Sequence, residues 1–147
     1  MEIVLYQPEI AGNVGAIIRL SANSGVSLNL IKPFGFELQE NKIRRAGLDY
    51  HDLSNTKTYN SWEEFIKTNS NKTICCLSSK GKDSYWNTNL NQYDFLLFGP
   101  ESIGLPNEII KNYKTITIPM KENSRSINLA NSVGIVVFES LRQASVQ

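Results

Sequence analysis

Three loops of this chain combine residue types that suit ligand binding and chemistry. Each follows a stretch predicted to form a strand, and together they supply glycine, proline, asparagine and serine with isolated charges. The loops are Gln7–Asn13, Gly99–Pro106 and Pro119–Asn128. If their strands run parallel, all three loops emerge at the carboxyl edge of one sheet, where open α/β sheets bind ligands. This edge is therefore the candidate functional site.

The loop Gly99–Pro106 has a composition suited to tight turning around one acid. Gly99 and Gly104 permit close backbone approach, two prolines stiffen the loop, and Glu101 is its only charge. The glycine spacing matches a phosphate-binding P-loop, but Leu105-Pro106 replaces the Lys and Ser or Thr which that motif requires. The loop suits a bulky ligand, although such glycines also serve in ordinary turns.

Two further polar features are open to a structural or a functional interpretation. Residues Ser124–Asn128 precede the last predicted helix, where their side chains can cap its first turn or hold a polar ligand. Arg19 lies on the first predicted helix among apolar neighbours, and most such arginines are simply solvated. The residues alone leave both alternatives open.

The residue inventory excludes several kinds of site. His51 is the only histidine, and the only cysteines, Cys75 and Cys76, are adjacent, so neither an ordinary zinc site nor a Ser-His triad can be assembled. Consecutive strand residues point to opposite faces, so we expect the two thiols to stay reduced and unpaired. The net charge of +1 leaves RNA binding open, because a neutral protein can still carry a local basic patch.

The hydrophobic pattern predicts strands that mostly alternate with helices. The predicted strands are Glu2–Tyr6, Ser27–Ile31, Thr56–Tyr59, Thr73–Leu77, Tyr93–Phe98 and Thr115–Ile118. The predicted helices are Asn13–Ser24, a short one around Glu40–Arg45, one opened by the capping box Ser61 and Glu64 and ending near Lys67, Asn107–Asn112, and Leu129–Leu141. Alternation favours an α/β fold with a parallel sheet flanked by helices on both faces. The 147 residues fit a single domain, 1–147.

The two ends of the chain bear on location and assembly. Glu2 puts an acid where a signal peptide needs positive charge, and no apolar run spans a membrane, so we expect a soluble, cytoplasmic protein. In Leu129–Leu141 apolar residues cover one face, while Ile135 and Phe138 extend onto another. Such a helix is buried on both sides, which favours a partner subunit over a helix sunk in its own core. Core or lid packing is the expected role of the aromatics Tyr59, Trp62, Tyr85 and Trp86.

Four ordered motifs extend through nearly the whole chain. They are Leu5-Tyr6-Gln7-Pro8-Glu9-Ile10 with Asn13 and Arg19; Arg44–His51; Phe98–Pro106; and Ile118-Pro119-Met120 followed by Ser124–Leu129. With these motifs the chain resembles the SPOUT superfamily of RNA methyltransferases, in particular the tRNA wobble-ribose 2′-O-methyltransferases of the TrmL type. Four motifs in order are far more specific than one glycine-containing loop.

The resemblance implies a particular fold and a cofactor. In this family the carboxyl-terminal part of a parallel α/β sheet threads a deep trefoil knot, an exception to the rule that chains avoid knots. The knot forms the pocket for S-adenosyl-L-methionine. Carried over by motif, the cofactor-binding residues are Leu77, Gly99, Glu101, Gly104, Ile118, Met120, Ser126 and Leu129. The family works as a homodimer packed through its first and last helices, which agrees with the apolar pattern of Leu129–Leu141, and its sites borrow groups from both subunits.

The resemblance also implies an activity, the 2′-O-methylation of the wobble ribose in the tRNA anticodon loop without a metal. The residues that would build the site around that ribose are Asn13, Glu101, Ser126 and Asn128. Arg19 would orient the ribose or its phosphate and stabilise charge. The tRNA contacts would come from Arg19, Arg44, Arg45 and Arg125, with Lys80 and Lys82 as further candidates.

One residue departs from the family pattern. Ile103 stands in the Gly-Pro-Glu loop where the family commonly has Arg or Lys, so a phosphate contact is lost. This departure bears on the RNA more than on the cofactor, because both glycines and Glu101 remain. Two alternatives stand beside the main interpretation: a non-catalytic RNA-binding or regulatory module, and 2′-O-methylation of another RNA such as ribosomal RNA.

Overall fold

A computed structural model describes residues 1–37 and 53–145. The strands are β1 (Glu2–Tyr6), β2 (Leu28–Ile31), β3 (Thr56–Tyr59), β4 (Ile74–Leu77), β5 (Asp83–Ser84), β6 (Phe95–Phe98) and β7 (Lys114–Thr117). The helices are α1 (Ala11–Ser24), α2 (Trp62–Thr68), α3 (Asn107–Asn112) and α4 (Leu129–Ser145), with two 3₁₀ turns at Tyr85–Asn87 and Leu90–Gln92. The short helix predicted around Glu40–Arg45 lies outside the described residues.

The seven strands form one parallel sheet in the order β3-β2-β1-β6-β4-β7-β5. This arrangement confirms the prediction of a parallel α/β sheet. Because β1, β6, β4 and β7 are consecutive in the sheet, their carboxyl ends meet at one edge. The three candidate loops leave from that edge, as predicted.

Helices cover both faces of the sheet, which is also as predicted. Residues of α1 and α4, such as Ile17 and Val133, join one apolar cluster, whereas Phe65 of α2 and Ile109 of α3 join a second. The neighbouring cysteines show that these clusters lie on opposite faces. Cys75 belongs to the first and Cys76 to the second, and both are free. Burial raises the pKa of each thiol to about 12, so both stay protonated at neutral pH.

The predicted helix boundaries have the local chemistry expected of them. Gly25 follows α1 with φ of 71°, a left-handed conformation that ends helices and that glycine adopts most easily. Ser61 caps α2 by accepting a hydrogen bond from the Glu64 backbone N–H at 3.1 Å. The Glu64 carboxylate reaches back to the Asn60 backbone N–H at 2.6 Å, one residue earlier than in the usual capping box.

The structure differs from the sequence prediction in a few elements. The strand β5 and the two 3₁₀ turns were not predicted, because elements of two or three residues carry no periodic signal. The strand β7 lies one residue earlier than predicted, and α4 continues to Ser145. Tyr59 and Trp62 pack against one cluster and Tyr85 against the other, as expected of core residues. Trp86 is 53% exposed, so core packing is wrong for this residue and lid packing stays a prediction.

Within the described ranges, no helix has the length and apolar character needed to cross a bilayer.

Candidate active site

A cavity of about 390 Å³ opens at the carboxyl edge of the sheet. Its walls come from the residues that follow β1, β4, β6 and β7 and from the first turn of α4. The volume lies in the range of about 300–1,000 Å³ that is typical of small-molecule sites. Apolar side chains, hydroxyls, amides and the backbone of a glycine turn together line this cavity, so it offers both apolar contact and directional hydrogen bonds.

The structure brings most of the residues named from the sequence to this one cavity. Every residue expected to bind the cofactor contributes to its wall, namely Leu77, Gly99, Glu101, Gly104, Ile118, Met120, Ser126 and Leu129. Asn13 and Asn128, which were expected to surround the target ribose, also line it. Residues separated by more than a hundred positions thus converge, because parallel strands deliver their following loops to the same edge.

Glu101 links two of the loops that form the cavity. Its Oε2 atom accepts a hydrogen bond from the Glu9 backbone N–H at 2.8 Å, and Oε1 accepts one from the Ile10 N–H at 3.1 Å. The same Oε1 accepts a third from Asn13 Nδ2 at 3.0 Å. Ile10 is the residue that precedes α1, and its apolar side chain makes no capping hydrogen bond to that helix. A carboxylate from another loop therefore takes the favourable place for negative charge at the helix start.

Asn128 continues this chain of hydrogen bonds to the last helix. Its Nδ2 donates to Asn13 Oδ1 at 2.9 Å, and its Oδ1 accepts from the backbone N–H groups of Ala130 at 2.9 Å and Asn131 at 3.3 Å. The capping role left open by the sequence is thus confirmed for Asn128. The same residue also lines the cavity, so capping and a place in the site are compatible.

The glycines of the 99–106 loop permit a close turn. A Cβ at position 99 would lie 2.6 Å from the carbonyl carbon of Gly104, which is too close for any side chain. Gly104 has φ of 68°, a conformation that costs most other residues energy. The turn closes with a hydrogen bond from the Gly104 N–H to the Pro100 carbonyl at 3.0 Å. Both glycines are therefore needed for the shape of the cavity wall.

Several residues named from the sequence do not reach this cavity within one chain. Arg19 and Arg125 are exposed and do not line it. Lys82 lines a different, polar cleft of about 590 Å³ beside Lys114. Lys80 does line the cavity, where its Nζ donates to Asn107 Oδ1 at 2.8 Å. The predicted RNA contacts Arg44 and Arg45, and the histidine His51, lie outside the described residues.

Sequence reasoning missed other residues of the same wall. Ser78 and Thr117 follow or end strands at the carboxyl edge, and Ser132 lies in the first turn of α4. Position directly after a strand is a usable signal for Ser78. Ile10 and Ile103 also line the cavity, and they are 52% and 80% exposed. Their exposure could not be predicted, because apolar residues of a loop are expected to be covered.

The groups in the cavity are better suited to orienting a substrate than to attacking it. Among the described residues of the wall Glu101 is the only acid, and its two oxygens already accept three hydrogen bonds. Within the described ranges, no group of three or more His, Cys, Asp or Glu side chains is arranged to hold a metal ion. The remaining polar groups are hydroxyls, amides and one ammonium. Such groups position reactants through directed hydrogen bonds.

Comparison with known proteins identifies the family. Residues 1–138 match the SpoU rRNA Methylase family. The chain belongs to this family. It is 44% identical to a tRNA (cytidine(34)-2′-O)-methyltransferase of Saccharophagus degradans, over 96% of this chain and 94% of that protein. It is 40% identical to the protein of that name in Escherichia coli, over 97% and 93% of the two chains.

Solved structures agree with this family membership. A structure that gives insights into the 2-OH methylation of C/U34 on tRNA has a TM-score of 0.91 and 39% identity, covering 99% of this chain and 97% of that chain. The SpoU methyltransferase AviRb from Streptomyces viridochromogenes, in complex with the cofactor AdoMet, has a TM-score of 0.86. At 22% identity, over 99% of this chain and 58% of that one, the likeness to AviRb shows the shared fold alone.

Proposed function

We propose that this chain transfers a methyl group from S-adenosylmethionine to the ribose 2′-hydroxyl of nucleotide 34, the wobble position of tRNA. The observation that carries the proposal is the convergence of the motif residues on one cavity. This occurs in a chain 44% and 40% identical, over nearly its full length, to proteins named for that reaction.

The described residues fit this cofactor. The turn at Gly99 leaves backbone exposed where a Cβ would collide with Gly104, and it lies beside the apolar side chains of Leu77, Ile118 and Leu129. Backbone groups next to apolar walls suit an adenosine, since a base needs both hydrogen bonds and flat apolar contact. When bound, S-adenosylmethionine supplies a methyl group on a positively charged sulfur. We assign the eight cavity residues named from the sequence to its binding.

The other cavity residues would position the ribose. Asn13 and Asn128 are held by each other and by Glu101, so their orientation is fixed before any substrate enters. Ser126 adds an exposed hydroxyl at the same wall. Since the transferred methyl group is already electrophilic, placing the hydroxyl in line with it is the main demand on the protein. Arg19 would orient the ribose or its phosphate and stabilise charge.

A homodimer packed through α1 and α4 would bring Arg19 to a cavity. The two helices contact each other within the chain, and another part of the α4 surface is exposed. There Ile135 is 37% and Phe138 is 58% exposed, as expected of a helix that meets a partner. Because Arg19 is exposed and does not line the cavity of its own chain, we propose that it serves the cavity of the partner subunit. Sedimentation should then show dimers for the unaltered protein and monomers for Phe138→Asp.

The finer features of the fold belong to the same proposal. We infer a single methyltransferase domain, 1–147, with a deep trefoil knot at the cavity. The path of the chain supports the knot: residues after β4 cross the β7 backbone, where a Cβ on Gly81 would lie 2.6 Å from the Ile116 carbonyl oxygen. The Ser78 N–H donates to that same oxygen at 3.0 Å. A tRNA substrate also favours a cytoplasmic location.

Contacts with tRNA would come from basic residues around the cavity mouth. Lys80 lines the cavity, Arg125 is exposed in the loop before α4, and Lys82 lies in the neighbouring cleft. We include Arg44 and Arg45 on the strength of the family motif alone. Ile103 offers no charge, so this site would bind RNA with one phosphate contact fewer than relatives that have Arg or Lys there.

The test is methyl transfer in vitro, followed by mass spectrometry of nucleosides. Purified protein, S-adenosylmethionine and tRNA should yield 2′-O-methylated nucleotide 34, and tRNA with a 2′-deoxyribose at that position should not react. Ribosomal RNA serves as a second substrate because the family is named for rRNA methylation. Methylation of rRNA alone would overturn the tRNA assignment. Binding of tRNA without methylation would favour the non-catalytic RNA-binding module.

A further inference from the structure

Glu9 and Glu101 lie in two neighbouring loops, and each accepts hydrogen bonds from the loop that carries the other. Glu101, in the 99–106 loop, accepts the backbone N–H of Glu9 at 2.8 Å. In return, Glu9 Oε2 accepts the Ser102 backbone N–H at 2.7 Å, and Glu9 Oε1 accepts the Ser102 hydroxyl at 2.7 Å. Each carboxylate thus binds the loop that carries the other. Of the two, only Glu101 lines the cavity.

The bonds to Glu9 fasten an exposed part of the 99–106 loop. Ser102 and Ile103 are exposed, and together with Gly104 they form part of the wall of the cavity. Hydrogen bonds to a carboxylate are stronger than those between neutral groups. The Ser102 hydroxyl and N–H also lower the pKa of Glu9, so the carboxylate stays charged throughout the neutral range.

The backbone of Glu9 is itself fixed from the other side. A Cβ at Gly35 would lie 2.7 Å from the Glu9 Cα, so the chain after β2 passes directly against this residue. The Gly35 N–H donates to the Pro8 carbonyl at 3.0 Å in the same contact. Glu9 therefore joins a backbone segment packed against Gly35 to an exposed turn of the cavity wall, which is the arrangement expected of a residue that shapes a binding site through its neighbour.

We propose that Glu9 is a positioning residue, which acts through Ser102 to hold the 99–106 loop in the conformation that binds S-adenosylmethionine. This inference rests on the proposed function and deepens it. Glu9 also sits two residues before α1, the helix that carries Asn13. Glu9 thereby also fixes the position of the 99–106 loop relative to Asn13, the group that would orient the ribose.

The test compares Glu9→Gln, Ser102→Ala and the double variant. A glutamine keeps the side-chain length but has no charge, and its Nε2 can only donate to Ser102 where a carboxylate oxygen accepted, so the loop loses its charged anchor. We expect the Kd for S-adenosylhomocysteine and the KM for S-adenosylmethionine to rise about tenfold, while kcat at saturating cofactor stays within about twofold of wild type. Ser102→Ala removes only the hydroxyl bond, since its backbone N–H can still donate to Glu9. The double variant should bind no worse than Glu9→Gln alone, because Glu9→Gln already weakens the hydrogen bond that Ser102→Ala removes. Ser102→Thr keeps the hydroxyl and should remain close to wild type.

The matched control is Glu64→Gln. The Glu64 carboxylate likewise accepts a hydrogen bond from a backbone N–H, that of Asn60, at 2.6 Å. However, Glu64 lies at the start of α2 and does not line the cavity. Its loss should lower stability and leave cofactor binding unchanged. The inference is overturned if Glu9→Gln binds S-adenosylhomocysteine like wild type, if the two single effects add, or if kcat falls while KM is unchanged. A wild-type protein that binds no S-adenosylhomocysteine would instead refute the proposed function.

Discussion

The side-chain amide of Asn128 donates a hydrogen bond to the side-chain oxygen of Asn13, 2.9 Å away. This contact joins the starts of the last and first helices, which lie 115 positions apart in the chain. Asn13 passes the connection on to Glu101 through its own amide. Three residues from three distant segments are therefore connected by hydrogen bonds at the cavity, and a change in one alters the orientation of the others.

Asn128 has two separable roles, and two substitutions distinguish them. Asn128→Ala removes both the helix cap and the bridge to Asn13. It should lower the free energy of unfolding by about 1 kcal/mol and should also reduce methyl transfer. Asn128→Asp keeps an oxygen that caps α4 but places an acceptor against Asn13 Oδ1. We expect near wild-type stability with reduced turnover. Chemical denaturation and single-turnover methylation measure the two effects, and an Asp variant with full activity would show that the bridge is dispensable.

The turn at Gly99 should tolerate no side chain. Gly99→Ala would set a methyl group 2.6 Å from the Gly104 carbonyl carbon, so the loop must move and the cavity change shape. We expect affinity for S-adenosylhomocysteine, measured by calorimetry, to fall at least about tenfold. Gly12→Ala is the control, because a Cβ there meets nothing within 4 Å. Equal affinity in both variants would mean that the loop adapts without cost to the site.

The sequence predicted the fold and the location of the cavity better than it predicted the contacts of individual side chains. Alternating apolar segments sufficed for a parallel sheet with helices on both faces, and Cys75 and Cys76 went to opposite faces as consecutive strand residues must. The cavity could be located because loops after parallel strands share an edge. The hydrogen bonds of Glu9 could not be predicted, since they depend on which side chains of two distant loops face each other. The exposure of Trp86 likewise depends on tertiary packing around a two-residue strand.

Ile103 provides a test of how this site binds RNA. Its side chain is 80% exposed at the cavity, so an arginine there would project toward bound RNA without disturbing the core. Ile103→Arg should strengthen tRNA binding at low salt and steepen the dependence of log K on log salt by about 0.7–0.9. Trp86→Arg adds the same charge at another exposed apolar position that does not line the cavity. An equal change of slope in both variants would point to a general charge effect.

The role proposed for Arg19 depends on the proposed dimer. It is exposed on α1 and does not line the cavity of its own chain. If Arg19 orients the ribose or its phosphate, Arg19→Ala should lower methyl transfer on the order of 100-fold while affinity for S-adenosylhomocysteine stays within about twofold of wild type. Full activity in this variant would show that Arg19 is an ordinary surface arginine with no role in methyl transfer.

Mixed dimers decide which subunit supplies that arginine. One subunit would carry Arg19→Ala with an intact cavity, and the other Gly99→Ala with an intact arginine, each with its own affinity tag so that the mixed dimer can be purified. Methyl transfer is measured with S-adenosylmethionine near the Kd of the intact cavity, at which the Gly99→Ala cavity is mostly empty. If Arg19 serves the partner, the intact cavity faces the intact arginine, and the mixed dimer recovers about half of wild-type activity, since one of two sites is complete. If Arg19 acts within its own chain, each subunit lacks one essential part and the mixed dimer is as inactive as either parent. The second outcome would contradict our assignment of Arg19 to the partner cavity.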